Sequence, residues 1–179
     1  FDDDQQNAVI RSLSCLQVSF RAKPYKNFLQ TILNWFVHED VASVENSFLE
    51  KLHRLMLDEF NRTSIDYIGL TEYDEKRQGT SVPHYLFNFT DYLYWWMKYN
   101  NEPINWEVLD PNLIIIVHKE LDLIRKNEFR FLNRNSIEHH YPQKRHEELD
   151  SEGVTEFDLN CLGNLILISK SANSRLSDK

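Results

Sequence analysis

A chain of 179 residues with 41% hydrophobic and 13% aromatic side chains has enough apolar matter for one packed core of ordinary size, or for a helical domain with a small appendage, and argues against disorder. Its formal charge of −8 counts against nucleic-acid binding by the chain as a whole, because phosphate contacts need a basic face. Nothing approaches the ~20 apolar residues of a membrane-spanning helix, and two cysteines without a Cys-x-x-Cys partner, Cys15 and Cys161, point to a reducing cytoplasm rather than a disulfide framework.

Four glycines and five prolines favour long regular elements over a many-turned β sandwich. The chain opens at Phe1 rather than at a methionine and stops at Ser177-Asp178-Lys179, so a piece of a longer protein is expected; no targeting signal is visible.

The first two-thirds reads as helical. Gln5 to Arg21 carries Val9, Leu13, Leu16 and Phe20 at three- and four-residue spacing, which paints one apolar stripe. Pro24 suits a first helical turn, and Phe28, Ile32, Trp35 and Phe36 follow with the same period. Asp40 is a candidate cap for a third helix lined by Val44, Phe48, Leu52, Leu55, Met56 and Phe60. Asp74 to Pro83 reads as a polar loop. Leu86 to Tyr99 is aromatic nearly all round, which suits a buried helix and makes Trp95-Trp96 core rather than a base-stacking platform. Asp110-Pro111 is a cap and first-turn pair for a helix with Leu113, Val117, Leu121 and Ile124 inward.

Near Phe129 the pattern changes. Phe129, Phe131 and Ile137 belong to extended segments; Leu165, Leu167 and Ile168 form a short β-type run after Gly163; Ser169 or Ser171 caps a terminal helix carrying Asn173 and Leu176. The charge changes too. Between Arg125 and Arg145 lie Arg125, Lys126, Arg130, Arg134, Lys144 and Arg145 against only Glu128 and Glu138, while acid gathers in Asp2 to Asp4 and in Glu147 to Asp158.

Within this basic stretch, Ser136-Ile137-Glu138-His139-His140-Tyr141-Pro142-Gln143 ends an apolar strand on an adjacent carboxylate and imidazole. Leu162-Gly163-Asn164-Leu165 and Asn173 follow. Hydrolysing a phosphodiester needs a deprotonated water, charge neutralisation on phosphate and help for the departing oxygen. His139 suits the base, since a neutral imidazole near its operating pKa takes a proton from water. Glu138 alternates to the opposite side of the strand, yet at the strand end its oxygen reaches a divalent ion. Asn173, one turn into the last helix, adds a neutral oxygen ligand, and such hard ligands suit Mg²⁺ or Mn²⁺. Asn164, counted with the catalytic set, fixes the loop and through it the His139 ring. Pro142 stiffens the turn, and Lys144, Arg145, Lys170 and Arg175 are candidate phosphate contacts.

This segment resembles the HNH-type C-terminal domain of Gmr-like, modification-dependent restriction enzymes. The likeness rests on Ser136-Ile137-Glu138-His139 with Pro142-Gln143, on Leu162-Gly163-Asn164-Leu165 and on Asn173. Over the helical part it is weaker, confined to Phe89 to Trp96. The resemblance implies a single-metal ββα module with Glu138 and Asn173 as metal ligands, His139 as base and Asn164 as the structural asparagine. It further implies DNA as substrate, modified phage DNA in particular, and an upstream ParB-like nucleotide-hydrolysing domain. Asp2-Asp3-Asp4-Gln5-Gln6 is not that domain's glycine-containing signature, so the partner domain or subunit lies off this chain. Position 140, usually apolar in the family, is a second histidine, read as a ring packed beside the site.

We therefore expect an α+β chain, mainly α: a helical scaffold over 1–128 and an HNH-like ββα-metal module over 129–179. The rival expectation is a degenerate, non-enzymatic module that binds a partner, which the net acidity favours. A structural zinc site from His139, His146 and Cys161 would need a fourth ligand. Cys161 as a nucleophile conflicts with its apolar surroundings. Glu147 to Asp158 reads as a solvated insertion, and His38, His53, His84 and His118 as scattered structural or surface residues.

Overall fold

A computed structural model describes residues 3–38, 41–64, 79–100, 129–141 and 159–177. Among these, four long helices come first: α1 (Asp3–Ser19), α2 (Ala22–His38), α3 (Val41–Ser64) and α4 (His84–Asn100). A two-stranded antiparallel sheet, β1 (Ser136–His139) and β2 (Leu165–Ile168), and a short helix, α5 (Lys170–Ser177), complete the order. Single 3₁₀ turns at Gly79–Ser81 and Leu162–Asn164 lead into α4 and β2. The described chain is thus mainly helical with a small sheet, and none of its helices is long and apolar enough to cross a membrane. The expected Asp40 cap, the Asp110-Pro111 helix and residues 74–78 of the polar loop lie outside the described residues.

The centre of α1's buried face differs from the expected stripe. Ala8, Ser12, Cys15 and Leu16 are 0–1% exposed, whereas Val9, Leu13 and Phe20 flank them half-buried. The cause sits on α4, whose Tyr85, Tyr92 and Trp95 are each at most 2% exposed. Three large rings fill the seam between the two helices, which leaves room on α1 for the small side chains of Ala8, Ser12 and Cys15 beside Leu16. Ser12 enters this core with its hydroxyl satisfied: Oγ donates to Ala8 O (2.9 Å) and lies 2.8 Å from Tyr92 Oη. Tyr92 Oη in turn meets His53 Nε2 on α3, and Tyr85 Oη donates to Met56 O (2.6 Å). Phe48, Leu52 and Met56 supply α3's buried face; full burial of such side chains contributes about 1.5–3 kcal/mol each. The aromatic helix α4 is not buried all round, since Leu93 and Tyr94 remain exposed on one flank.

A second, smaller core lies under the sheet. Ile137, Leu165 and Leu167 turn inward and meet Val82 and Leu86 from the start of α4, with Phe60 and Phe87 packed alongside. The strands are therefore roofed by the helical part rather than by one another alone, as a two-stranded ribbon requires. Phe129 and Phe131, T-shaped at 5.0 Å, pack against the helical cluster. Arg134 then clamps the incoming segment to α4 by donating to Asn88 Oδ1 and Asp91 Oδ2, both at 2.5 Å. Ser169 caps α5 by accepting from Ala172 N–H (3.2 Å).

Candidate active site

Strand pairing decides which side chains share a face. Ser136 opposes Ile168, Ile137 opposes Leu167, Glu138 opposes Ile166 and His139 opposes Leu165. Because side chains alternate along a strand, Ile137 and His139 project to the face that also carries Leu165 and Leu167. Ser136 and Glu138 project to the other face, over which α5 passes.

On that second face the structure gathers three polar side chains. Asn173 Nδ2 stands 2.5 Å from Glu138 Oε1 across 35 positions of sequence. Ser136 Oγ is 2.5 Å from the same carboxylate oxygen and 3.2 Å from Asn173 Nδ2. Both donors point at Oε1, so this carboxylate oxygen is satisfied within the protein by charge-assisted hydrogen bonds. Turning the Asn173 carboxamide over exposes Oδ1 in place of Nδ2, the two being distinguished only by their hydrogen-bonding surroundings. Carboxylate, carboxamide and hydroxyl oxygens are of the hard kind Mg²⁺ and Mn²⁺ prefer, while among the described residues no three His, Cys, Asp or Glu side chains gather. Ser136 was not among the expected ligands; its place two positions before Glu138 on one strand was the signal that could have found it.

His139 is held separately. Its Nε2 lies 3.0 Å from Asn160 Oδ1 on the loop before β2, and its ring is half-buried rather than sealed in the core. Nothing in the spacing singles out Asn160, which sequence reasoning missed. His140 is exposed, and its backbone N–H donates to Asn164 O (2.7 Å).

Asn164 works on backbone. Its Oδ1 accepts from Tyr141 N–H (2.8 Å), while Nδ2 donates to Leu159 O (2.8 Å) and more distantly to Tyr141 O (3.5 Å). One carboxamide thereby joins the exit of β1 to the entry of β2, so the loop carrying Asn160 and the strand end carrying His139 are fixed together. Among the expected phosphate contacts, Lys170 and Arg175 are exposed on α5. Lys170 lies one turn from Asn173, whereas Arg175 is about 200° round the helix from it and donates to Ser171 O (3.3 Å). Pro142, Lys144, Arg145, His146 and the segment Glu147 to Asp158 lie outside the described residues. Comparisons of the chain with protein-family models, with curated proteins and with solved structures find no match.

Proposed function

We propose that residues 129–179 form a single-metal DNA endonuclease module of the HNH type, working in the cytoplasm in restriction of foreign, modified DNA. The observation that carries this reading is the meeting of Glu138 and Asn173, from a strand and a helix 35 positions apart, at 2.5 Å. Bound there, Mg²⁺ or Mn²⁺ would neutralise charge on the phosphate and ease departure of the leaving oxygen. Glu138 and Asn173 would hold the ion, with Ser136 beside them. His139, in its neutral form, accepts the proton of the attacking water. Lys170, Lys144 and Arg145 steer the backbone.

The test is nicking of supercoiled DNA by the purified chain with Mg²⁺ or Mn²⁺. His139→Ala should keep the helical circular dichroism and lose the cutting; equal cutting by both proteins refutes the proposal.

One observation favours a second reading. The Glu138 carboxylate is already satisfied by Ser136 and Asn173, and the chain carries eight net negative charges, as suits a degenerate module that binds a partner protein. Such a module would neither cut DNA nor respond to Mn²⁺.

A further inference from the structure

Gly79 opens the 3₁₀ turn before α4, is buried, and has φ +52°, a left-handed conformation that costs a residue with a Cβ. The space around it is as restrictive as the backbone. A Cβ at this position would stand 2.6 Å from Asn160 Oδ1 and 3.2 Å from Asn160 Cγ. That same Oδ1 is the atom 3.0 Å from His139 Nε2. The hydrogen atom in place of a side chain at 79 is therefore the room in which the Asn160 carboxamide stands, and the carboxamide grips the imidazole. The turn lies against β1, so a residue of the helical part reaches the candidate base through one intermediate.

We propose that Asn160 is a positioning residue for His139 and that Gly79 seats it, an inference that rests on reading His139 as the proton acceptor. A carboxamide oxygen only accepts. With that oxygen facing Nε2, the ring donates from Nε2–H. Which imidazole nitrogen is basic is set by the hydrogen bond of the other. Asn160 fixes that choice and the ring's rotation without placing a second negative charge beside it. The helical part thus has a stake in the chemistry beyond supporting the sheet.

Nitrogen-detected NMR of the His139 ring in the full chain reads the tautomer without metal or substrate. We expect the Nε2–H form in the wild type and a mixture of both tautomers in Asn160→Leu. Gly79→Ala should give the same mixture with unchanged circular dichroism. Asn160→Asp should restore Nε2–H. In Mn²⁺-dependent nicking, Asn160→Leu should lose roughly 10–100-fold while its Mn²⁺ affinity stays that of the wild type. Asn160→Asp, which keeps an accepting oxygen at that place, should recover the rate. A wild-type tautomer in Asn160→Leu overturns the proposal, as does a failure of Asn160→Asp to recover the rate. A folded Gly79→Ala protein with the wild-type tautomer overturns the seating role of Gly79; if that variant does not fold, Asn160→Leu decides alone. A chain that nicks nothing removes the nuclease reading, and the tautomer then still decides whether Asn160 sets the ring.

Discussion

Asn173 on α5 and Glu138 on β1 share one contact of 2.5 Å between Nδ2 and Oε1, and this contact fixes how the last helix sits on the sheet. It exists because Ser169 starts α5 directly after β2, capping it through Ala172 N–H, which brings the first turn back over β1. Replacing the amide by a carboxylate sets two like charges where one hydrogen bond stood. We expect Asn173→Asp to lower Tm in chelator and to regain more than the wild type on adding Mn²⁺; saturation at about one hundred times Kd corresponds to ~2.7 kcal/mol of stabilisation. A thermal shift series with and without Mn²⁺ checks this, and identical responses of the two proteins contradict it.

Asn164 holds two backbone segments by its side chain alone. Asn164→Ala leaves Tyr141 N–H and Leu159 O, each now bonded at 2.8 Å, without that partner, at a cost of about 1–3 kcal/mol. Denaturant unfolding measures the loss. Amide exchange at Tyr141 should accelerate; protection equal to the wild type would show that the loop does not depend on this carboxamide.

Burial lowers the pKa of His53, and burial together with the Arg134 charge lowers that of His84. Both rings therefore bind fewer protons folded than unfolded, and ∂ΔG/∂pH is positive across the gap. Their contribution is fully present above the unfolded value of about 6.5 and is lost as pH falls toward the depressed folded values. Unfolding free energy measured from neutral pH downward should decline below about pH 6.5. His53→Gln, which can still accept from Tyr92 Oη, should flatten that decline; an unchanged slope would count against His53 as a source.

The seam between α1 and α4 tolerates little volume at position 12. Ser12 is fully buried, its hydroxyl 2.8 Å from that of Tyr92. Ser12→Leu should destabilise by about 1–3 kcal/mol through overpacking, despite adding apolar surface to an apolar core. A stabilised variant would mean the seam is looser than its exposures indicate.

Sequence periodicity located α1, the two strands and α5, because each presents a regular alternation or a capping residue that physics reads locally. The axis of α1's buried face escaped it, since Ala8, Ser12 and Cys15 carry little apolar signal and are chosen by the size of Tyr85, Tyr92 and Trp95 on another helix. Of the candidate site, Glu138 and Asn173 were singled out from sequence and stand in contact; His139 and Asn164 were singled out too and are held apart from that pair, and strand alternation separated Glu138 from His139. Asn160 and Gly79 were not, because their roles arise from a loop and a turn 81 positions apart in sequence and brought together in space.

The central claim, that Glu138 and Asn173 share a divalent ion, is tested most directly by titrating Mn²⁺ into the protein and following water-proton relaxation. One site is expected in the wild type, and it should vanish in Glu138→Ala and in Asn173→Ala while circular dichroism is retained. A wild-type protein that binds no Mn²⁺, or binds it equally well after both substitutions, would contradict the account.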